Sequence, residues 1–351
     1  MFKKITMVMA AALLVFSGAA NAEKVYKLKL AASWGPTLHP FIDTSLEMAE
    51  LAEKLSNGRL KITVDAANKH KSPLGILDLV KAGQYDLGHT ASYYYKGKDI
   101  NAQAFTTMPF GFTAVEQYGW FYYGGGMELM QKAYDKHKIL AFPGGNSGMQ
   151  MGGWFKKEIN SIDDFKGLKM RIPGFAGEVL AKAGAVVTNI APGEMYTALD
   201  RGTIDALEWV GPSMDIKMGF HKIAPYYYTG WHEPGAELVY FVNKKKFNKL
   251  PQDLQTVLTT AMRLSAYDTY IKNQHLNAEN WAKMKTDYPN IKVKTFPKPV
   301  FDALRKINAE LVSELATKTP LMKEVLESQK KYQEKARVWS KMSDYLYLND
   351  N

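Results

Sequence analysis

Apolar residues alternate with polar ones at Tyr26, Leu28 and Leu30, interleaved with Lys27 and Lys29, and again at Leu60, Ile62 and Val64, interleaved with Lys61 and Thr63. Strict period-two spacing is the signature of a strand, because successive side chains leave opposite faces. Between these stretches Met48, Leu51, Ala52 and Leu55 recur at i, i+3, i+4 and i+7, which predicts a helix, and Asn57-Gly58 supplies the left-handed residues that end it. Strand, helix and strand in about 40 residues form a βαβ unit. The pattern continues with a helical segment from Leu74 to Ala82, a short strand around Asp86 to Ala91, and further alternation near Ile139, Met170, Val186 and Leu238. The fold class expected from this order is α/β.

Two breaker-rich segments, Gly144-Gly145-Asn146-Ser147-Gly148 and Glu233-Pro234-Gly235-Ala236, flank a compact stretch of about 85 residues. They read as two crossings between lobes, with the first lobe discontinuous in sequence. The expected division is residues 23–148 for the first part of lobe 1, 149–236 for lobe 2, 237–299 for a return segment completing the lobes, and 300–351 for a helical C-terminal region. After Pro251 long charged amphipathic stretches run from Leu254 to Met284 and from Val300 to Tyr347.

The N-terminus has the layout of a secretory signal: Lys3 and Lys4, an apolar run from Ile5 to Phe16, then small residues ending Ala20-Asn21-Ala22. The run is shorter than the roughly 20 residues a membrane span requires, so residues 1–22 are expected to be cleaved and the mature chain to be a soluble periplasmic protein. With no cysteine in the chain, neither a lipid anchor nor a disulfide is available. Cleavage would leave 43 basic and 35 acidic residues, a net charge of +8 that favours anionic partners. Because the basic residues are scattered among acids, nucleic acid is not among those partners.

Enzyme motifs are missing. The seven histidines include no i, i+4 pair, which excludes a helical zinc-hydrolase motif. Ser147 lacks the Gly-x-Ser-x-Gly frame of a nucleophile elbow, and the glycine runs at 124–126 and 144–145 are not followed by Gly-Lys-Ser/Thr. What survives is Gly167-Leu168-Lys169-Met170-Arg171-Ile172-Pro173-Gly174, followed at a distance by Asp200-Arg201-Gly202-Thr203-Ile204-Asp205-Ala206-Leu207-Glu208-Trp209.

These segments resemble the solute receptors of tripartite ATP-independent periplasmic (TRAP) transporters, whose strand of this form carries an arginine that clamps the substrate carboxylate. Ala32-Ser33-Trp34, Gly83-Gln84-Tyr85-Asp86-Leu87-Gly88 and Ser161-Ile162-Asp163-Asp164-Phe165-Lys166 match as well. Glu208-Trp209-Val210-Gly211-Pro212 and the stretch from Tyr226 to Gly235 resemble the branch that binds 2-oxo or 2-hydroxy monocarboxylates with a metal cation. The resemblance implies the two-lobed periplasmic binding protein fold, a ligand cleft between lobes, and delivery to membrane permease subunits. It implies Arg171, Gln150, Trp209, Tyr94, Trp34 and Asn146 as substrate-binding residues and Gln150, Glu208, Trp209 and Glu233 as metal ligands, with His232 a neighbouring alternative to Glu233. A receptor is therefore expected, not an enzyme; the runner-up is a periplasmic lyase or hydrolase acting on an organic acid.

The chemistry of these residues suits holding. An arginine fork donates two parallel hydrogen bonds to a carboxylate, a geometry lysine cannot reproduce. A glutamate aimed at a carboxylate ligand repels it unless a cation lies between, and oxygen ligands suit Na⁺ or Ca²⁺. Alternation in a strand would leave one tyrosine of Tyr93-Tyr94-Tyr95, and one of Tyr226-Tyr227-Tyr228, able to face a cleft. In the C-terminal region Leu304, Ile307, Leu311 and Leu315 form one apolar stripe, and Val325, Tyr332 and Trp339 recur at heptad-like spacing. Two outcomes fit these stripes equally: folding back over the first lobe, or a homodimer through the C-terminal helix.

Overall fold

Eleven strands among the described residues, 23–350 of a computed structural model, build two mixed sheets. The signal-peptide expectation for 1–22 lies outside those residues. In chain order the strands are β1 (Tyr26–Ala32), β2 (Leu60–Asp65), β3 (Leu87–Thr90), β4 (Ile139–Asn146), β5 (Gly153–Phe155), β6 (Lys169–Arg171), β7 (Val186–Thr188), β8 (Ala206–Leu207), β9 (Tyr226–Tyr228), β10 (Glu237–Asn243) and β11 (Lys292–Lys294). The first sheet runs β2-β1-β3-β10-β4 and the second β11-β9-β5-β8-β6-β7. β1 pairs in parallel with β2 and β3, whereas β10 lies antiparallel between β3 and β4.

Burial on both faces explains the apolar runs. In β10, Leu238, Tyr240 and Val242 enter one apolar core while Val239 and Phe241 enter the other, as period-two alternation requires. The second sheet repeats this: Trp154, Leu207 and Tyr227 pack to one side, Phe155, Ala206 and Tyr228 to the other.

The chain passes between sheets twice side by side, from β4 to β5 and from β9 to β10. The Ser147 amide donates to the Ala236 carbonyl at 3.0 Å and the Gln150 amide to the Glu233 carbonyl at 3.0 Å. At Gly230 the backbones come so close that a Cβ would lie 1.8 Å from the Gln150 carbonyl oxygen. Only glycine fits there.

The helix Gln252–Asp287 packs on β4, on the helix Phe41–Leu55 of the first sheet and on the helix Pro212–Met218 of the second. It then delivers β11 to the second sheet's edge, beside β9. The helices Lys298–Ala316 and Pro320–Met342 follow. The second of these folds back on the first lobe: Met322 and Val325 are buried, Trp120 donates to Ser328 at 3.0 Å, Tyr332 packs on Phe112, and Arg337 pairs with Glu116. No helix among the described residues is long and apolar enough to cross a membrane.

Candidate ligand and cation site

Arg171 ends β6. Its carbonyl accepts from the Glu208 amide at 3.0 Å, so the ends of β6 and β8 hold together two residues 37 positions apart. The guanidinium is fully buried. Nη1 donates to the Glu208 carbonyl at 2.7 Å and lies 3.4 Å from Glu208 Oε2, Nε donates to the Ile190 carbonyl at 3.3 Å, and Nη2 has no protein acceptor. The carbon of the guanidinium sits 5.5 Å from the Trp209 ring centre. Immediately after Arg171 the chain turns at Gly174, whose φ of +66° and approach to the Tyr93 ring, 3.1 Å from a built Cβ, favour glycine.

The two crossings add Gln150, His232 and Glu233, all buried. One ligating atom each of Glu208, His232 and Glu233 falls within a 4.8 Å sphere of mutual separation, and His232 Nε2 lies 3.6 Å from Glu208 Oε1. Gln150 uses its amide nitrogen on Ser147 Oγ at 2.9 Å, leaving its oxygen unpaired. Glu208 Oε1, both Glu233 oxygens, both His232 nitrogens and the Trp209 indole N–H are likewise buried without protein partners. Buried polar groups are normally satisfied, so this concentration is the site's main chemical feature.

Electrostatics follow from that burial. Desolvation raises both Glu208 and Glu233 to about 8, with Arg171 pulling Glu208 down and the Glu208 charge pushing Glu233 further up. Desolvation also lowers His232 to about 4, so this imidazole is neutral at pH 7. A cation at Gln150 Oε1, Glu208 and Glu233 would give these oxygens the partner they lack, and an anionic oxygen would satisfy Arg171 Nη2 and the Trp209 N–H. The donor set therefore fits a hard cation together with an anion.

Among the residues expected from sequence, Arg171, Gln150, Glu208, Trp209 and Glu233 meet in one cluster. Tyr94 is half-buried beside it: burial raises its phenol and the Arg171 charge opposes that rise. Trp34 stands behind the cluster. Its indole donates to His89 Nδ1 at 2.9 Å, and its ring packs on Phe41, which packs in turn on Trp209. Asn146 frames the crossing: its amide nitrogen donates to Gln117 and Glu237 and its oxygen accepts from the Gly148 amide.

Strand alternation does not govern the first tyrosine triplet, because Ser92–Tyr95 is a 3₁₀ turn. Tyr93 and Tyr94 pack edge to face at 5.0 Å, and Tyr93 is raised well above its ordinary range by burial and by the charges of Glu233 and Glu208. The second triplet is β9. Tyr227 stacks on Trp154 and donates to Asp215, while Tyr228 donates to the Ile159 carbonyl, so both phenols are engaged inside the second sheet's core. Asp215, unnoticed in the sequence, accepts four hydrogen bonds beneath the turn that carries Glu208 and Trp209. An acid in the first turn of a helix opened by Gly211-Pro212 was the available signal.

Comparison with known proteins places this geometry. The chain is 40% identical over 322 residues, 92% of its own length and 88% of the relative's, to the monocarboxylate 2-oxoacid-binding periplasmic protein of Nostoc sp.. A TRAP periplasmic solute-binding protein from Colwellia psychrerythraea with bound calcium and pyruvate superposes with a TM-score of 0.92 at 59% identity, covering 93% of this chain and 100% of that one. One from Pseudoalteromonas atlantica with bound sodium and pyruvate gives the same TM-score, identity and coverage. The two-lobed α/β architecture is thus that of the TRAP periplasmic binding proteins. The family model for bacterial extracellular solute-binding protein, family 7 (DctP), matches residues 30–319, and the chain belongs to that family.

Proposed function

We propose that this protein is the extracytoplasmic receptor of a TRAP transporter, that it captures a small 2-oxo or 2-hydroxy monocarboxylate such as pyruvate or lactate with a bridging Na⁺ or Ca²⁺, and that it delivers the acid unchanged to membrane permease subunits from the periplasm. The observation that carries this reading is the set of orphaned buried atoms: four carboxylate and amide oxygens facing inward beside an unpaired guanidinium nitrogen and indole N–H. Acceptors without donors call for a cation, and donors without acceptors call for an anion. Pyruvate in the Colwellia and Pseudoalteromonas proteins supports the size class, as do Tyr93, Tyr94 and Trp209 crowding the space beside Arg171.

In this reading the free nitrogen of Arg171 and the Trp209 indole hold the ligand carboxylate, Gln150, Glu208, Glu233 and the Trp209 carbonyl hold the cation, and Tyr94 closes the first-lobe wall. Trp34 and Asn146 act from behind, by fixing Phe41 and the crossing. With both glutamates ionised, Arg171 and an anionic ligand leave the site at −2, which Ca²⁺ neutralises; Na⁺ suffices if one glutamate keeps its proton. The sheets act as lobes joined by the two crossings and by the helix Gln252–Asp287. Binding energy favours the closed arrangement, held across the cleft by Lys96, which donates to the Gly174 carbonyl at 3.0 Å and to Glu178 at 2.9 Å.

Native mass spectrometry of the purified protein, followed by denaturation and identification of what is released, tests the reading. The expected products are an intact three-carbon 2-oxo or 2-hydroxy acid and a metal ion in equal amounts. Conversion of added pyruvate or lactate to another compound would support an enzyme instead.

A further inference from the structure

Asp215 is a fully buried acid whose four hydrogen-bond partners are all neutral donors. Oδ1 accepts from the amides of Val210 at 3.1 Å and Gly211 at 3.0 Å, the two peptide units that follow Trp209. Oδ2 accepts from Trp154 Nε1 of β5 at 3.0 Å and from the Tyr227 hydroxyl of β9 at 2.9 Å. One carboxylate therefore ties two strands of the second sheet to the turn that presents Glu208 and Trp209. An asparagine keeps the size but turns its NH₂ toward two of these donors, so it removes the charge and two of the four bonds together.

Asp215 also sits close enough to Glu208 for its charge to raise that carboxyl. Among the described residues of this cluster Arg171 is the one buried cation, set against three buried acids, Asp215, Glu208 and Glu233.

We propose that Asp215 is the positioning and selectivity residue of the cation site: it fixes the Glu208–Val210 turn in the register that coordination needs, and its uncompensated charge favours Ca²⁺ over Na⁺. This rests on the cation-bridged reading above. The positional half follows from the four bonds. The selectivity half follows from Coulomb's law, because a divalent ion gains twice the attraction of a monovalent ion at the same place. Removing the charge at constant geometry must then weaken Ca²⁺ by the square of the factor by which it weakens Na⁺, about 25-fold against about fivefold. Both Asp215 oxygens are engaged by protein donors, so it would act on the cation through the turn and through its charge.

The test is Ca²⁺ titration by calorimetry and Na⁺ titration by ²³Na resonance on the full-length mature protein, with pyruvate present, for wild type, Asp215→Asn and Tyr227→Phe. Asp215→Asn loses two bonds as well as the charge; the loss of position is common to both cations and cancels in their ratio, so the Ca²⁺/Na⁺ affinity ratio is expected to fall about fivefold. Tyr227→Phe keeps the charge but loosens one anchor, so both cations should weaken equally, by about threefold, with the ratio unchanged. A loss of apo stability alone, with both affinities intact, would overturn the proposal by making Asp215 merely structural. An unchanged ratio in a folded Asp215→Asn protein would also overturn it. Should that variant fail to fold, Tyr227→Phe decides: unaltered cation affinity there overturns the positioning role. Failure of the underlying reading looks different, since wild type itself would then bind neither cation.

Discussion

Arg171 shows how one side chain's free geometry dictates its use, because three of its bonds fix the plane of the guanidinium and leave Nη2 buried without a protein acceptor. Lysine supplies a point charge without that plane, so Arg171→Lys should keep the fold and lower pyruvate affinity by about 2–5 kcal/mol in calorimetry. Wild-type affinity would remove Arg171 from the site. Glu208 and Glu233 give a pH dependence with a definite sign. Both titrate near 8 in the fold against 4.5 as free side chains, so between those values the folded site holds more protons than the unfolded chain and stability falls as pH rises. His232 and His89, near 4 in the fold against 6.5, act oppositely below 6.5, and Glu237, also near 8, adds to the fall, so the window is 6.5 to 8 and the part that responds to Ca²⁺ belongs to Glu208 and Glu233. In chelator the thermal midpoint should fall across that window, and the increment restored by Ca²⁺ should grow, because the cation displaces those protons. A midpoint that rises in chelator contradicts the assignment. Arg171, Glu208 and Trp209 were legible in the sequence because they sit in short motifs whose residue order survives. Asp215 was not, since its importance lies in donors at positions 154, 210, 211 and 227 that only folding assembles.

Short elements explain most of what the periodicity left unread. β5 and β6 have three residues each and β8 has two, too few for alternation to repeat, yet β6 carries Arg171 and β8 leads directly into Glu208 and Trp209. The long elements were readable: the stretch expected from Leu254 to Met284 is the helix Gln252–Asp287, and the alternating stretches at 26–30 and 60–64 are β1 and β2. The tyrosine run at 93–95 misled because a 3₁₀ turn spaces side chains by three and not two, which brings Tyr93 to the acids as well as Tyr94. The crossings make the sharpest test at this scale. A methyl group at Gly230 must displace the Gln150 backbone, so Gly230→Ala should cost about 1–3 kcal/mol in thermal denaturation and weaken pyruvate binding more than a distant substitution of equal cost. Unaltered binding would mean that the crossings do not position Gln150.

Across the whole molecule the helix Gln252–Asp287 links the site to the outside. Asn273 accepts from Ser213 Oγ at 3.0 Å and donates to the Ser147 carbonyl, and Asn277 accepts from the Ser213 amide at 2.9 Å, so one helix holds both the turn after Trp209 and the crossing before Gln150. The C-terminal region resolves into three helices, Lys298–Ala316, Pro320–Met342 and Asp344–Asp350, split at Thr317–Thr319 and at Ser343. Leu304 and Leu315 of the first are buried, and the second covers the first lobe as far as Arg337. Beyond it Val338, Trp339, Met342, Tyr345 and Leu348 are exposed, an apolar stretch that a monomer leaves uncovered. Self-association through this end is expected: light scattering should give a dimeric mass, and truncation after Arg337 a monomer that still binds pyruvate. A monomeric wild-type mass would reject it. The proposed function requires one buried site to hold a cation and a small 2-oxo acid together. Calorimetric titration of the protein with pyruvate after dialysis against chelator in sodium-free buffer, repeated with Ca²⁺ restored, tests that requirement. Heat of binding should appear, or the affinity should sharpen by at least about tenfold, only when the cation returns. Equal affinity with and without cation, or no pyruvate binding in either buffer, would contradict it.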